Sequence, residues 1–300
     1  MAICLAVYNG AEWLCDQITS IFKQNGVFVT IFISVDKSID GSEALVDHLA
    51  KSDDRIKVMK HGLKFGGAAP NFFRILSETN FADFDYVCFA DQDDLWKPEK
   101  LLRAHEKLSS TGASAYSSNV IAFWPDQRCL TINKAQKQVK WDFLFEAAGP
   151  GCTYVMQKDL VVAAQAVIQR RPAELQQVGL HDWFMYAFAR ANGFRWVIDN
   201  YAGMLYRQHE NNQIGVNSGW KALVYRARKV YSGWGLSQSA LIAELVGLEN
   251  NQIVSRWSNG SRIGLFWLAC NASKCRRRTR DKWLFALSCL ALCFTGHRFR

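Results

Sequence analysis

The feature that most constrains this chain is a series of short apolar runs, each stopped by polar residues and followed by a segment with helical spacing. Ile3–Val7 runs into Tyr8-Asn9-Gly10. Behind it, Trp13, Leu14, Ile18, Ile21 and Phe22 recur at the spacing of one helix face within Ala11–Gln24. Val27–Val35 is a second apolar run and ends at Asp36. A helix over Gly41–Lys51 follows, with Ser42 as its candidate N-cap. Ile56–Met59 reads as a third strand and Asn71–Thr79 as a helix with Phe72, Ile75 and Leu76 on one stripe. Tyr86–Ala90 is a fourth strand ending at Asp91, and Pro98–Ser109 is a helix with proline near its start, where a missing N–H does no harm. Strands alternating with helices predict βαβ units and an α/β fold, a mostly parallel sheet flanked by helices. Ligands of such sheets bind beyond the carboxyl ends of the strands. Here that rim gathers Tyr8, Asn9, Asp36 and the run Asp91-Gln92-Asp93-Asp94.

After about residue 112 the alternation weakens. Tyr116–Trp124 reads as a strand, Gly149-Pro150-Gly151 breaks the chain before Cys152–Gln157, and Leu160–Gln169 and His181–Asn192 read as helices before a strand at Arg195–Ile198. Beyond Ser218 the segments Trp220–Tyr231, Ser237–Val254, Ile263–Ala272 and Lys282–Phe294 all read as helices. The expected division is therefore a catalytic domain over 1–218 and a helical region over 219–300.

Charge follows the same division. The 300 residues carry 36 Lys and Arg against 27 Asp and Glu, a net +9. Residues 219–300 hold 14 of those cations and only 3 of the acids, which leaves the first 218 residues at −2. A near-neutral body with a basic tail points to an anionic surface as partner. Lys274–Lys282 packs six basic groups around one acid and leads into apolar Trp283–Phe294. Such a segment lies on an anionic membrane surface, or else packs on the domain with a solvated basic face. The apolar run is about 12 residues, short of the ~20 that span a bilayer. Nucleic acid is not expected, since no recognised binding motif is present. Nine cysteines without a C-x-x-C pair, and no basic-then-apolar leader, predict a cytoplasmic protein, peripheral on the inner face of the cell membrane if the tail binds lipid.

Three carboxylates within four residues, at the end of a buried strand, repel one another unless a cation sits among them. Hard oxygen ligands suit Mg²⁺ or Mn²⁺ shared with substrate phosphates; the plainer reading is an acidic turn capping the next helix. Asp36 can hydrogen-bond a base or ribose, or form an Asx turn with the following Ser38, Asp40 and Ser42. Asp182, in His181-Asp182-Trp183, stands at a helix start. There the dipole keeps a carboxylate ionised, as a general base requires, although plain capping has the same pattern. In Tyr206-Arg207-Gln208-His209-Glu210-Asn211-Asn212, Arg can grip a diphosphate and neutral His can ligate a metal; a solvated loop is the alternative.

Taken together, these residues resemble a glycosyltransferase of family 2, with the GT-A fold. Ala6-Val7-Tyr8-Asn9-Gly10 with Trp13-Leu14, Gln17, Ser20-Ile21 and Gln24 is similar to the family's first strand and helix. Phe89–Leu95 with Trp96, Pro98 and Lys100-Leu101 resembles its metal-binding region, and Gly151-Cys152-Thr153 its acceptor-facing segment. His181-Asp182-Trp183 resembles the site of the catalytic base. Tyr206-Arg207-Gln208-His209 with Asn211-Asn212 resembles a signature of a rhamnosyltransferase-like branch. The resemblance implies an inverting, metal-dependent transfer from a nucleotide-sugar, dTDP-rhamnose in that branch, to a saccharide acceptor, lipid-linked if the tail meets a membrane. Asp182 would be the catalytic base. Tyr8, Asn9, Asp36, Asp91 and Arg207 would bind the nucleotide-sugar, and Asp93 and His209 the divalent metal. Asp94, Trp96, Gly151, Cys152, Thr153, His181 and Trp183 would lie near acceptor or metal. Two features depart from the family pattern: Val35 and Lys37 flank Asp36 where a second Asp and a Gly are usual, and Glu146 stands near the acceptor loop where a neutral side chain is expected.

Two other classes remain at this point. A nucleotidyltransferase would also bind metal and diphosphate on such a rim, but no Gly-rich basic loop follows the first strand. A non-catalytic carbohydrate- or membrane-binding relative of the fold is opposed by the presence of Asp91, Asp93 and Asp182.

Overall fold

The computed structural model describes residues 1–209 and 232–295. Strands β1 (Ala2–Val7), β2 (Thr30–Val35), β3 (Ile56–Val58) and β4 (Tyr86–Ala90) pair in parallel in the order β3-β2-β1-β4. Helices α1 (Leu14–Phe22), α2 (Ser42–Ser52) and α3 (Ala68–Glu78) make the crossovers. The expected N-cap of α2 is displaced by one residue. Gly41, at φ 87°, takes that place, and the Ser42 hydroxyl instead donates to Asp40 at 2.6 Å and accepts the Gly10 N–H.

The chain continues through β5 (Leu95–Trp96), α4 (Lys100–Thr111), β6 (Ala115–Phe123), β7 (Cys129–Ile132) and β8 (Val155–Gln157). Helices α5 (Lys158–Arg170), α6 (Pro172–Leu175) and α7 (His181–Ala191) precede β9 (Trp196–Arg207). The full sheet runs β3-β2-β1-β4-β8-β6-β9-β5, with β7 on β6. β8 joins β4 antiparallel, β6 and β9 pair in parallel, and β5 pairs antiparallel with β9.

Side chains alternate across β1, so Ile3, Leu5 and Val7 enter one core with α1, α2 and α4, while Ala2 and Cys4 enter the other with α3, α5 and α7. The C-terminal helices, Trp234–Leu245, Gln252–Trp257, Arg262–Cys270, Ala272–Cys275 and Thr279–Thr295, share that second core. The expected helix over Ser237–Val254 is two helices, parted by a turn with Gly247 at φ 80°; the one over Trp220–Tyr231 lies outside the described residues. Leu236, Ile242, Trp257, Leu265 and Leu268 are all buried, and detaching these helices would expose them at about 1.5–3 kcal/mol each. Gly264 makes the closest crossing: a methyl group there would lie 2.0 Å from the Arg256 carbonyl oxygen. No helix among the described residues is long and apolar enough to cross a membrane.

Candidate active site

In the order β3-β2-β1-β4 the chain reverses direction of build between β1 and β4, and the crevice beyond their carboxyl ends is where such sheets take ligands. Leu5 pairs with Ala90 and Val7 with Val35, so Tyr8, Asp36 and Asp91 step off neighbouring strands onto one rim. The Gln92 amide bridges across it, accepting the Tyr8 N–H at 2.8 Å and donating to the Tyr8 carbonyl at 2.9 Å. Asn9, at φ 46°, accepts the Ile39 N–H on its side chain and gives its own N–H to Ser38, which ties the ends of β1 and β2 together. Asp36 is buried and accepts the N–H groups of Lys37, Phe65 and Gly66 within 2.8–2.9 Å, so its carboxylate anchors the loop before α3 as well as facing the crevice.

β9 brings Arg207 and His209 to the acidic loop. Its pairing with β5 delivers Arg207 to the acidic loop, where the Arg207 N–H donates to Asp94 at 3.1 Å and its Nε to the Asp93 carbonyl at 2.8 Å. Two residues on, His209 Nε2 lies 2.8 Å from Asp93 Oδ2, with the imidazole stacked on Trp13 at 4.2 Å. Adjacent ligand atoms at ~2.1 Å around one octahedral cation stand about 3 Å apart, so this carboxylate and imidazole fit a shared divalent metal. Burial, then the charges of Asp93 and Asp182, push Asp91 up to about 7; such a carboxylate is eased by a cation. Asp91, Asp94 and Cys152 also bring one ligand atom each within 4.8 Å of one another. Burial keeps Cys152 a thiol and pushes Asp94 well up, so these two form a packed floor beneath Asp91, which alone of the three lines the cleft. Below it Lys100 is buried against the Trp96 ring at 3.4 Å.

Across the crevice, α7 begins at His181. Asp182 accepts the Trp183 N–H at 2.7 Å, and burial raises its carboxyl to about 6, opposed by backbone N–H groups and the Lys134 charge. His181 stacks on Phe72 at 3.9 Å, and burial pulls it down to about 3, so it stands neutral. Gly151 allows this approach: a methyl group there would lie 2.9 Å from His181 Nε2 and 3.1 Å from Asp182 Cβ.

The C-terminal segment closes the same side. Arg277, expected in a solvated or membrane-facing basic run, is only 6% exposed. Its guanidinium meets Asp142 at 3.3 Å and the Ala147 carbonyl at 2.6 Å, and its N–H donates to Glu146 at 2.6 Å. That contact accounts for Glu146, the acid out of place in the sequence: it receives the tail.

Tyr8, Asn9, Asp36, Asp91, Asp93, His209, Gly151, His181 and Asp182 all line one cleft of about 1290 Å³. Arg207, Asp94, Trp96, Cys152, Thr153 and Trp183 stand behind its walls, where Thr153 bonds the Pro150 carbonyl and Trp183 the Phe143 carbonyl. Glu210, Asn211 and Asn212 lie outside the described residues. Sequence reasoning gave no role in the cleft to Lys64, Asn71, Lys134, Arg276 and Asp281, which also line it. The basic run could have flagged Arg276; Lys134 and Asn71 sit in segments with no motif.

A parallel half-sheet whose strand ends carry carboxylates, with an imidazole brought beside them after β9 and a further carboxylate across one cleft, is the arrangement of a nucleotide-sugar glycosyltransferase of the GT-A type. The sequence profile described as glycosyl transferase family 2 matches residues 2–140. The dTDP-rhamnosyl transferase RfbG of Shigella flexneri is 39% identical over 279 residues, which cover 93% of this chain and 96% of that protein. The succinoglycan biosynthesis protein ExoO of Rhizobium meliloti is 25% identical over 69% of this chain and 60% of its own length. Among solved structures, Staphylococcus aureus TarS 1–349 with UDP superposes with a TM-score of 0.57 at 12% identity, over 100% of this chain and 92% of that one. The Pyrobaculum calidifontis mannosyltransferase PcManGT with GDP-Man and Mn²⁺ does so with a TM-score of 0.52 at 15% identity, over 98% and 86%. The chain belongs to glycosyltransferase family 2.

Proposed function

We propose that this glycosyltransferase moves a rhamnosyl group from dTDP-rhamnose to a saccharide acceptor of a surface polysaccharide, with inversion at the anomeric carbon. The observation that carries the reading is that Asp36, Asp91, Asp93 and Asp182 open onto one cleft; the similarity to RfbG supports the donor. Asp36 and Tyr8 hold the nucleoside end, Asp91 faces the ribose or phosphates, and Asp93 with His209 holds Mg²⁺ or Mn²⁺. That cation, when bound, stabilises negative charge on the leaving diphosphate. Asp182 takes the proton from the acceptor hydroxyl as its oxygen bonds to the anomeric carbon. The bond from that carbon to the diphosphate oxygen breaks with its electron pair, and the nucleoside diphosphate leaves. His181, neutral and fixed between rings, presents no charge that would compete for Asp182.

For a lipid-linked acceptor the enzyme works at the inner membrane face. An exposed apolar face supports this: Trp283, Leu284, Leu287 and Phe294 on helix Thr279–Thr295, beside Ile263 and Phe266 on helix Arg262–Cys270. Basic residues Arg262, Arg280 and Lys282 accompany it, a composition suited to anionic lipid.

The test is release of nucleoside diphosphate from a panel of nucleotide-sugars with Mn²⁺ or Mg²⁺. Metal-dependent hydrolysis of dTDP-rhamnose above other donors is expected. Preference for another donor sinks the rhamnosyl assignment, and pyrophosphate release from a nucleoside triphosphate sinks the reaction class.

A further inference from the structure

The cleft wall on the acceptor side carries positive charge that the transfer step leaves unused. Lys134, two residues past β7, lines it together with Arg276. Its stem packs beside Gly149, where a methyl group would come 3.6 Å from Lys134 Cβ. Burial lowers the affinity of its ammonium for the proton, and the charges of Arg277 and Arg278 add to that effect against those of Glu146 and Asp281. Glu146 and Asp281, the acids whose charges act on Lys134, each have an arginine partner as well. Glu146 accepts the Arg277 N–H and faces its guanidinium at 3.7 Å, while Asp281 pairs with Arg280 at 3.0 Å. Among the described residues Lys134 makes no side-chain hydrogen bond or ion pair. Arg276 is held by one terminal nitrogen on the Phe145 carbonyl, and its Nε–H is buried with no acceptor. The other terminal nitrogen makes no hydrogen bond to the described residues and is not buried, so the guanidinium, fixed by its Phe145 contact, can donate from there to an oxyanion in the cleft.

We infer that Lys134 and Arg276 form an anion subsite, which takes a carboxylate or phosphate carried by the acceptor saccharide whose hydroxyl Asp182 deprotonates. The inference rests on the transfer reaction proposed above and adds the charge class of the acceptor. Lys134 supplies an ammonium and Arg276 one terminal guanidinium nitrogen, so the anion is held from two elements, the segment after β7 and the C-terminal segment. Through its charge on Asp182, Lys134 links occupancy of this subsite to the catalytic side of the cleft.

The experiment is ligand-observed NMR titration of the full chain in EDTA, so that no cation recruits anions to Asp93. The probes are methyl glucuronide, glucose 6-phosphate and methyl glucoside, with inorganic phosphate as the sugar-free arm. One or both acidic sugars should bind about tenfold or more tighter than the neutral glycoside, the worth of one charge-assisted hydrogen bond. Which of the two wins separates a carboxylate from a phosphate acceptor. A preference shown equally by inorganic phosphate alone, without the sugar, overturns the acceptor assignment. The preference should vanish in Lys134→Gln combined with Arg276→Gln, return in part with Lys134→Arg, and persist in Asp93→Ala. Equal binding of acidic and neutral sugars overturns the inference. So does a preference that survives the double variant, or one lost in Asp93→Ala. Donor hydrolysis by the unaltered enzyme, measured in parallel with Mn²⁺, tests the transfer reading separately.

Discussion

His209 Nε2 sits 2.8 Å from Asp93 Oδ2 across 116 residues of chain, held there because β9 pairs with β5 immediately after the acidic loop. Both residues line the same cleft. Asp93→Ala should abolish Mn²⁺-dependent binding of dTDP in calorimetry. His209→Ala should weaken Mn²⁺ affinity about 10- to 100-fold, through loss of the donor atom and of the Trp13 stack that orients it. Unchanged metal affinity in both variants would remove these residues from the metal site.

Asp182 gives a pH signature. Its carboxyl stands at about 6, and only the ionised form accepts a proton. Transfer should therefore rise with pH through about 6 and level off above it. The linkage has the opposite sign for stability. An unfolded aspartate ionises near 3.9, so the fold favours the protonated group, and that contribution is lost as pH rises through the folded value. Asp182→Asn should raise the melting temperature at pH 7.5, by an amount worth about 1–2 kcal/mol, with little change at pH 4. Transfer should fall by about 10²- to 10⁴-fold. A variant that keeps its transfer rate shows that the base is another group.

Gly151→Ala tests how closely the acceptor loop approaches α7. The added methyl meets His181 Nε2 and Asp182 Cβ, so both side chains must give by a fraction of an ångström. A misplacement of about 1 Å costs on the order of 10²-fold in rate, so this smaller one should cost about tenfold or less. Donor binding, measured with dTDP, should be unchanged, because the strand ends of β1, β2 and β4 are not touched.

Arg277→Ala removes a buried cation from Asp142 and Glu146. Asp142 keeps Arg190 at 3.1 Å and Glu146 keeps the main-chain N–H of residue 277, but Glu146 loses the guanidinium charge that faced it at 3.7 Å. The expected loss is about 3–5 kcal/mol, read as a lowered midpoint in urea unfolding. An effect under about 1 kcal/mol would mean that the tail contact contributes little to stability.

Trp283→Ser with Leu287→Ser should cut co-sedimentation with phosphatidylglycerol vesicles more than tenfold, since each apolar side chain contributes about 1.5–3 kcal/mol when taken out of water. Donor hydrolysis in solution should not change. Vesicle binding that depends on Arg278 and Arg280 but not on this face would place the anchor in the basic run instead.

The donor half was legible because its signals are local. β1, β2 and β4 each carry an apolar run and end in a polar residue that forms the rim, so Asp36, Asp91 and Asp93 could be read in order along the sequence. The acceptor half was less legible. Lys134 follows a short exposed strand with no motif, and Arg276 and Arg277 looked like a solvated basic run until their partners, Glu146, Phe145 and Asp142, were seen to lie some 130 residues away. β5, two residues long, gave no periodic signal, yet its pairing with β9 decides where Arg207 and His209 arrive. Asn9 and Asp36 carried a further duty that spacing does not reveal, the hydrogen bonds that hold neighbouring loops.

The docking of Arg277 between Asp142 and Glu146 also sets the order in which the enzyme becomes complete. During synthesis the strand ends that carry Tyr8, Asp36 and Asp91 are all made within the first hundred residues, whereas Arg276, on the facing wall, comes in a segment made some 180 residues later. One side of the cleft exists in a nascent chain long before the other can be laid against it.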